Sequence, residues 1–192
     1  MNNFKLIKRG IETAPLLQEI ESTDNVWDLQ TGRQGKIAVQ REAQSIPLRG
    51  LVKSKINGRK RRDVHESRFT TTSHAFPVAC AFLYQIAEER NAHLSRGKIV
   101  RLRAGARVYP HIDRGDYYRL RDRFHLVLRS PSGSYMKTED ETVSMEEGEL
   151  WWFDNKKLHE SHNEGKFDRI HMIFDLLPAE YHLAVFPAAE AS

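Results

Sequence analysis

The chain has 192 residues, 40% hydrophobic and 29% charged, with a net charge of +4 at pH 7. That is an ordinary globular composition, long enough to bury a core without disulfides or a structural metal, and Cys80, the lone cysteine, excludes an internal disulfide. The mild basic excess permits an acidic or nucleic-acid partner without requiring one. MNNFKLIKRG at the amino terminus lacks the apolar stretch of a secretory signal, and no run nears the roughly 20 apolar residues of a membrane span, so a cytoplasmic protein with no membrane contact is expected.

Residues 14–22 (APLLQEIES) carry Leu16, Leu17 and Ile20 at helical spacing and predict a short amphipathic helix. IAVQ at 37–40 and SIPLRG at 45–50 predict short strands, and the charged, glycine-containing stretch 51–68 predicts a mobile loop or hairpin tip, a candidate lid. PVACAFLYQIAEER at 77–90 is the clearest helix. Pro77 suits a first turn, Val78, Phe82, Leu83 and Ile86 mark one buried stripe, and Cys80 is expected to be a buried small hydrophobe. Beyond residue 97 the pattern changes. KIVRL, RVY, FHLVLRS, YMKT, ETVSM, ELWWF and DRIHMIFDLL alternate with the turn signals AGA, HIDRG, PSGS, EEG, DNKK and NEG. Short strands at this spacing predict an antiparallel sandwich or barrel, hence a mainly β chain with flanking helices. The expected plan is a single domain over 1–192, with helices and edge strands over 1–96 and a β core over 97–178.

Five of the nine histidines (His111, His125, His159, His162 and His171) fall between Tyr109 and Met172. His111-Ile112-Asp113 ends a predicted strand, where residues i and i+2 share a face, so one imidazole and one carboxylate can meet one ion. An HxD tripeptide alone is a weak signal. What strengthens it is the β-rich context, a second histidine on a strand and a well-placed arginine. His159, after ELWWFD and its turn, is preferred to His162 as the second histidine; the two are three apart, so only one can point inward. Two histidines and a carboxylate leave an ion three open positions, the arrangement of a non-haem Fe(II) oxygenase that holds a chelating cosubstrate and O2 together. A structural zinc site would close all four positions, usually with cysteines. Arg169 opens the strand RIHMIFDLL and supplies a cation for the far end of a dicarboxylate cosubstrate. On that strand His171, Ile173 and Asp175 share its face, so His171 is either a cosubstrate contact or a core histidine bonded to a neighbouring strand.

AGARVYPHID, RFHLVL, EEGELWWFDNKKLHESHNEG and DRIHMIFDL, between Arg103 and Pro178, together resemble the aspartyl/asparaginyl β-hydroxylase family of Fe(II)- and 2-oxoglutarate-dependent oxygenases. QREAQSIPLRG upstream is similar to that family's N-terminal strand pair. The resemblance implies a double-stranded β-helix, a jelly-roll, cupin-like barrel with helices outside. It implies His111, Asp113 and His159 as iron ligands, the carboxylate siding with the proline 3-hydroxylase-like branch. It further implies Arg169 and His125 as cosubstrate contacts, Arg121 and Arg123 as substrate-carboxylate residues, and hydroxylation of an amino acid or an Asp/Asn side chain with release of succinate and CO2.

The arginines crowding this region suggest a small-molecule or peptide substrate with an anionic group, with O2 as co-reactant. Two rivals stay open. KSKINGRKRR at 53–62, with Lys60, Arg61 and Arg62, would suit a nucleic-acid-modifying oxygenase, although no aromatic stacking run accompanies it. A non-catalytic cupin-like binding protein would share the fold but have lost an iron ligand, and none is missing.

Overall fold

The computed structural model describes residues 1–28, 38–54, 56–60 and 63–187. Its strands form two antiparallel sheets. The larger joins β1 (Phe4–Lys8), β2 (Ala43–Leu51), β3 (Ser67–Phe69), β4 (Ala92–Leu102), β6 (Asp122–Arg129), β9 (Leu150–Phe153) and β11 (Arg169–Pro178) in the order β1-β9-β6-β11-β4-β2-β3. The smaller joins β5 (Arg107–His111), β7 (Ser134–Thr138), β8 (Glu141–Val143) and β10 (His159–Asn163) in the order β5-β10-β7-β8. Among the described residues, no helix is long and apolar enough to cross a membrane.

The pleat of β6 and β11 sets the layering. Phe124, Leu126 and Leu128 of β6, with Ile170, Met172, Phe174 and Leu176 of β11, join one apolar cluster with Leu16 and Ile20 of α1 (Ala14–Glu21) and Ala79, Leu83, Ile86 and Ala87 of α2 (Pro77–Glu89). Each such buried leucine, isoleucine, methionine or phenylalanine stabilises the fold by about 2 kcal/mol. The alternate residues face inward, as period two requires. There Val127 joins Phe4, Met136, Val143, Met145, Trp151 and Phe153 in a second cluster, while Arg123, His125, Arg169 and Ile173 line a cleft. Helix α2 sits close on the sheet because Gly97 faces it: a Cβ there would come 3.2 Å from Leu83.

Several expectations need correcting. The two sheets pack as a jelly-roll sandwich and do not close into a barrel, since the smaller sheet's strands are only three to five residues long and share no ladder with the larger. IAVQ is not a strand: Ala38–Gln40 form a 3-10 turn, held by Arg41 stacking 4.0 Å over the Tyr109 ring, and Ile37 lies outside the described residues. Val78 is 42% exposed, because the buried face of α2 runs through Ala79, Leu83, Ile86 and Ala87. The Val78 and Ala79 N–H groups instead donate to the Glu19 carboxylate of α1 at 2.5 and 3.0 Å, satisfying two donors at the α2 N-terminus. Cys80 is only partly buried, its thiol 3.6 Å from the Ser73 carbonyl. By contrast, the expected hairpin tip is present: residues 52–66 connect the antiparallel strands β2 and β3, with Lys55, Arg61 and Arg62 outside the described residues. The amino-terminal half also contributes more than edge strands: β4 begins at Ala92 and is central, and FKLIK forms the unforeseen edge strand β1.

The Ile11 N–H donates to the Gly148 carbonyl at 3.0 Å, and Gly148 takes φ +78° with its α-carbon against the Ile11 carbonyl oxygen, where a Cβ would lie at 2.9 Å. Gly148→Ala is expected to lower unfolding free energy by about 2 kcal/mol, combining left-handed strain with that clash, as read by urea denaturation.

Candidate metal centre

His111 and His159 are register partners across β5 and β10, with ring centroids 4.2 Å apart. Asp113 follows two residues after β5, and one ligand atom from each of the three lies within 4.8 Å of the others. The histidine tautomers follow from their backbone partners. His111 Nδ1 is 2.8 Å from the Tyr109 carbonyl and His159 Nδ1 is 2.9 Å from the Lys157 carbonyl. A carbonyl only accepts, so each Nδ1 carries the proton and each Nε2 keeps a lone pair for an ion. Burial, with His111 and Arg123 nearby, pushes His159 down to about 4, so it is neutral near pH 7.

Asp113 is held by three groups. Its backbone N–H donates to the Asn155 carbonyl at 3.1 Å, and its Oδ2 accepts from Asn155 Nδ2 at 3.0 Å and from Arg123 Nη1. Both side-chain bonds fall on Oδ2, which leaves Oδ1 for a metal. Burial alone would raise this carboxyl, but Arg123, Asn155 and the two histidines outweigh it and hold it below the usual carboxylate range. The donor set of two imidazoles and one carboxylate, with one cleft face open, fits a divalent transition metal.

Arg169 is 2% exposed and opens into the same cleft. Among the described residues no carboxylate pairs with it. Its Nη2 donates to His171 Nδ1 at 3.1 Å, and burial pulls the guanidinium down to about 9, still charged near neutral pH. Since His171 Nδ1 accepts there, the His125 Nδ1 that lies 3.3 Å from it must be the donor, and the His171 proton sits on Nε2, which is buried without a partner. Burial and then the Arg169 charge push both His125 and His171 well below the ordinary histidine range.

Most of the residues anticipated from the sequence therefore converge here. His162 does not: it faces away, stacked 4.8 Å from Tyr135 and 2.9 Å from Glu160. His125 lines the cleft while His171 lies behind it. Arg121 and Arg123 do not form the expected fork. Arg121 precedes β6 and is 2% exposed, bonded through Nε to Ser95 Oγ at 2.8 Å and through Nη1 to His65 Nδ1 at 2.9 Å, with its guanidinium 4.2 Å over the Tyr117 ring. Arg123 lines the cleft, but Asp113 and Asp175 already occupy its guanidinium. Asn155 was not anticipated; DNKK reads as a turn, and only the fold brings its amide to Asp113.

The profile of the aspartyl/asparaginyl beta-hydroxylase family matches residues 55–178. The chain belongs to that family. An L-proline cis-4-hydroxylase of Rhizobium meliloti (strain 1021) is 33% identical over 78 residues, 41% of this chain, which spans only 28% of that relative's length. A prolyl hydroxylase of Trichoplax adhaerens, solved with a hypoxia inducible factor oxygen degradation domain peptide fragment, superposes with a TM-score of 0.59 at 12% identity, covering 98% of this chain and 89% of its own. A 2OG-Fe(II) oxygenase family oxidoreductase from Burkholderia pseudomallei gives 0.54 at 8% identity, covering 89% and 93%. At these identities the two structures establish the jelly-roll fold.

Two outcomes are expected. His111→Ala, Asp113→Ala and His159→Ala should each weaken Mn(II) or Fe(II) binding by calorimetry beyond the roughly 10–100-fold typical of losing an outer partner of a metal ligand, while His162→Ala should leave it within a few-fold. The metal-free protein should also lose stability as pH falls. His125, His159 and His171 stay neutral in the fold, so below about pH 6.5 the unfolded chain binds more protons. The loss should approach roughly 1.4 kcal/mol per pH unit per histidine and, for His159, continue down to about pH 4. A flat urea-denaturation profile between pH 7 and 5 would contradict this.

Proposed function

We propose that this chain is an Fe(II)- and 2-oxoglutarate-dependent hydroxylase acting on a small amino-acid-like or peptide substrate that carries an anionic group. The observation that carries the reading is Arg169, a buried cation with no carboxylate partner among the described residues, in the cleft lined by His111 and His159. A buried cation in this state favours an anion that completes it, and a guanidinium takes a carboxylate bidentately. A dicarboxylate chelating the metal through its 2-oxo acid end would present its other end to Arg169. Family membership and the hydroxylase relatives support the same chemistry.

The overall reaction is substrate C–H plus O2 plus 2-oxoglutarate, giving substrate C–OH plus succinate plus CO2. The iron, when bound, supplies oxygen activation. The chain supplies position and environment. His111 and His159 offer Nε2 lone pairs from one side, Asp113 offers Oδ1, and Asn155 and Arg123 hold that carboxylate ionised and oriented. Phe153, Met136 and Val108 wall the cleft and keep water from it. Of the basic segment 53–62, Arg59 is paired with Asp63 at 3.7 Å and Glu66 at 3.9 Å.

Anaerobic titration of the protein with Fe(II) and 2-oxoglutarate tests the proposal: a weak visible charge-transfer band should develop, and its absence would refute it. Arg169→Ala should raise the 2-oxoglutarate concentration for half-maximal band at least thirtyfold, in keeping with the roughly 2–5 kcal/mol of a broken buried charge pair, while metal affinity persists.

A further inference from the structure

A second cavity of about 290 Å3 adjoins the metal cleft and shares Gln40, Lys98, Arg123 and Ile173 with it. Its own wall adds Arg49, Arg96, Tyr118 and Asp175. The four arginines of the two cavities differ in how much of each guanidinium is already used. Arg49 gives Nε to the Ser95 carbonyl at 2.8 Å and Nη2 to those of Ser67 and Leu94 at 2.8 and 3.3 Å. Arg123 is bound between Asp113 and Asp175, and Arg169 faces the inner cleft.

Arg96 is the exception in the outer cavity. Its guanidinium lies 3.9 Å over the Tyr117 ring and 6.0 Å from that of Tyr118, which fixes its plane. One hydrogen bond, from Nη2 to the Val64 carbonyl at 3.2 Å, uses only part of it, and Nε is buried with no partner. No carboxylate among the described residues pairs with it. A rigid guanidinium with unused donors is arranged to take a planar anion.

We propose that this outer cavity is the substrate subsite and that Arg96 grips the carboxylate of a free amino acid there. The proposal rests on the reading of the inner cleft as the metal and 2-oxoglutarate site. It moves the substrate carboxylate away from Arg121 and Arg123, whose donors are taken. The volume sits at the lower end of small-molecule sites, roughly 300–1,000 Å3, and holds one residue-sized molecule. Asp175 in the same wall accepts from Arg123 Nε at 2.8 Å, Arg123 Nη2 at 3.1 Å and the Tyr117 hydroxyl at 3.0 Å. A carboxylate has about four acceptor positions, so one is left for an ammonium group.

The test uses the protein loaded anaerobically with Fe(II) and 2-oxoglutarate, titrated with the common L-amino acids and their C-terminal amides while the charge-transfer band is followed. At least one amino acid should perturb the band, with its amide at least tenfold weaker. Arg96→Gln should raise that half-saturating concentration at least tenfold while the Fe(II)/2-oxoglutarate band still forms, and Arg96→Lys should recover only part of the loss. The proposal is overturned if no amino acid perturbs the band, if acid and amide act alike, or if Arg96→Gln leaves the midpoint unchanged. Should the variants not fold, the acid–amide comparison on the unaltered protein decides. If the band never forms, the proposed function fails instead, and thermal-shift measurements with the same acid–amide pairs test the cavity by itself.

Discussion

The Arg123 guanidinium is where the two sheets are joined at the site. It rises from β6 of the larger sheet, pairs with Asp175 on β11 beside it, and reaches Asp113, which continues from β5 of the smaller sheet. Burial pulls its pKa down, but Asp175 and Asp113 more than compensate, and it is held well above the ordinary arginine value. Buried ion pairs of this kind contribute little net stability, yet losing one partner costs roughly 3–5 kcal/mol because a charge is left unpaired. The role of this pair is therefore geometric: it sets the distance between Asp113 and the sheet that carries Arg169.

Around that junction the fold keeps an imbalance of charge. Among the described residues Arg169 has no anion, Arg96 Nε has no acceptor, and burial beside Arg169 keeps His125 and His171 well below the ordinary histidine range. A buried cation or donor without a partner costs stability in the ligand-free chain, and an anion that completes it relieves the cost. Ligands that bind only the folded state should therefore raise its apparent stability. The helices and apolar rows of β6 and β11 offset the cost from the other face of the same strands, so the inner face is free to be polar.

This division of labour explains which features were legible in the sequence. Strand alternation in RIHMIFDLL places Arg169, His171 and Asp175 on one face and the apolar residues on the other, and the structure has that arrangement. HESH separates His159 from His162 by the same rule. The buried face of α2 differs from the expected stripe at its first position, because Val78, Phe82, Leu83 and Ile86 fit a helical stripe nearly as well as Ala79, Leu83 and Ile86, and only the packing of the helix on the core chooses between them. The 3-10 turn at Ala38–Gln40 was misread because an apolar run of that length carries no period.

Local chemistry in the sequence thus determined the β-rich architecture, the inward residues of each strand, the His111–Asp113 pair and the choice of His159 over His162, since these depend on spacing within one strand or one turn; only the pairing of β5 with β10 brings His159 to His111. The tertiary structure alone decided how each charge is used. Arg121 and Arg123, two apart, look equivalent in sequence, but one is buried against Ser95, His65 and Tyr117 and the other is locked between two aspartates. Arg96, unremarked in the sequence, remains with donors to offer. Whether a charge is spent or available depends on partners tens of residues away, and strand periodicity carries no record of them.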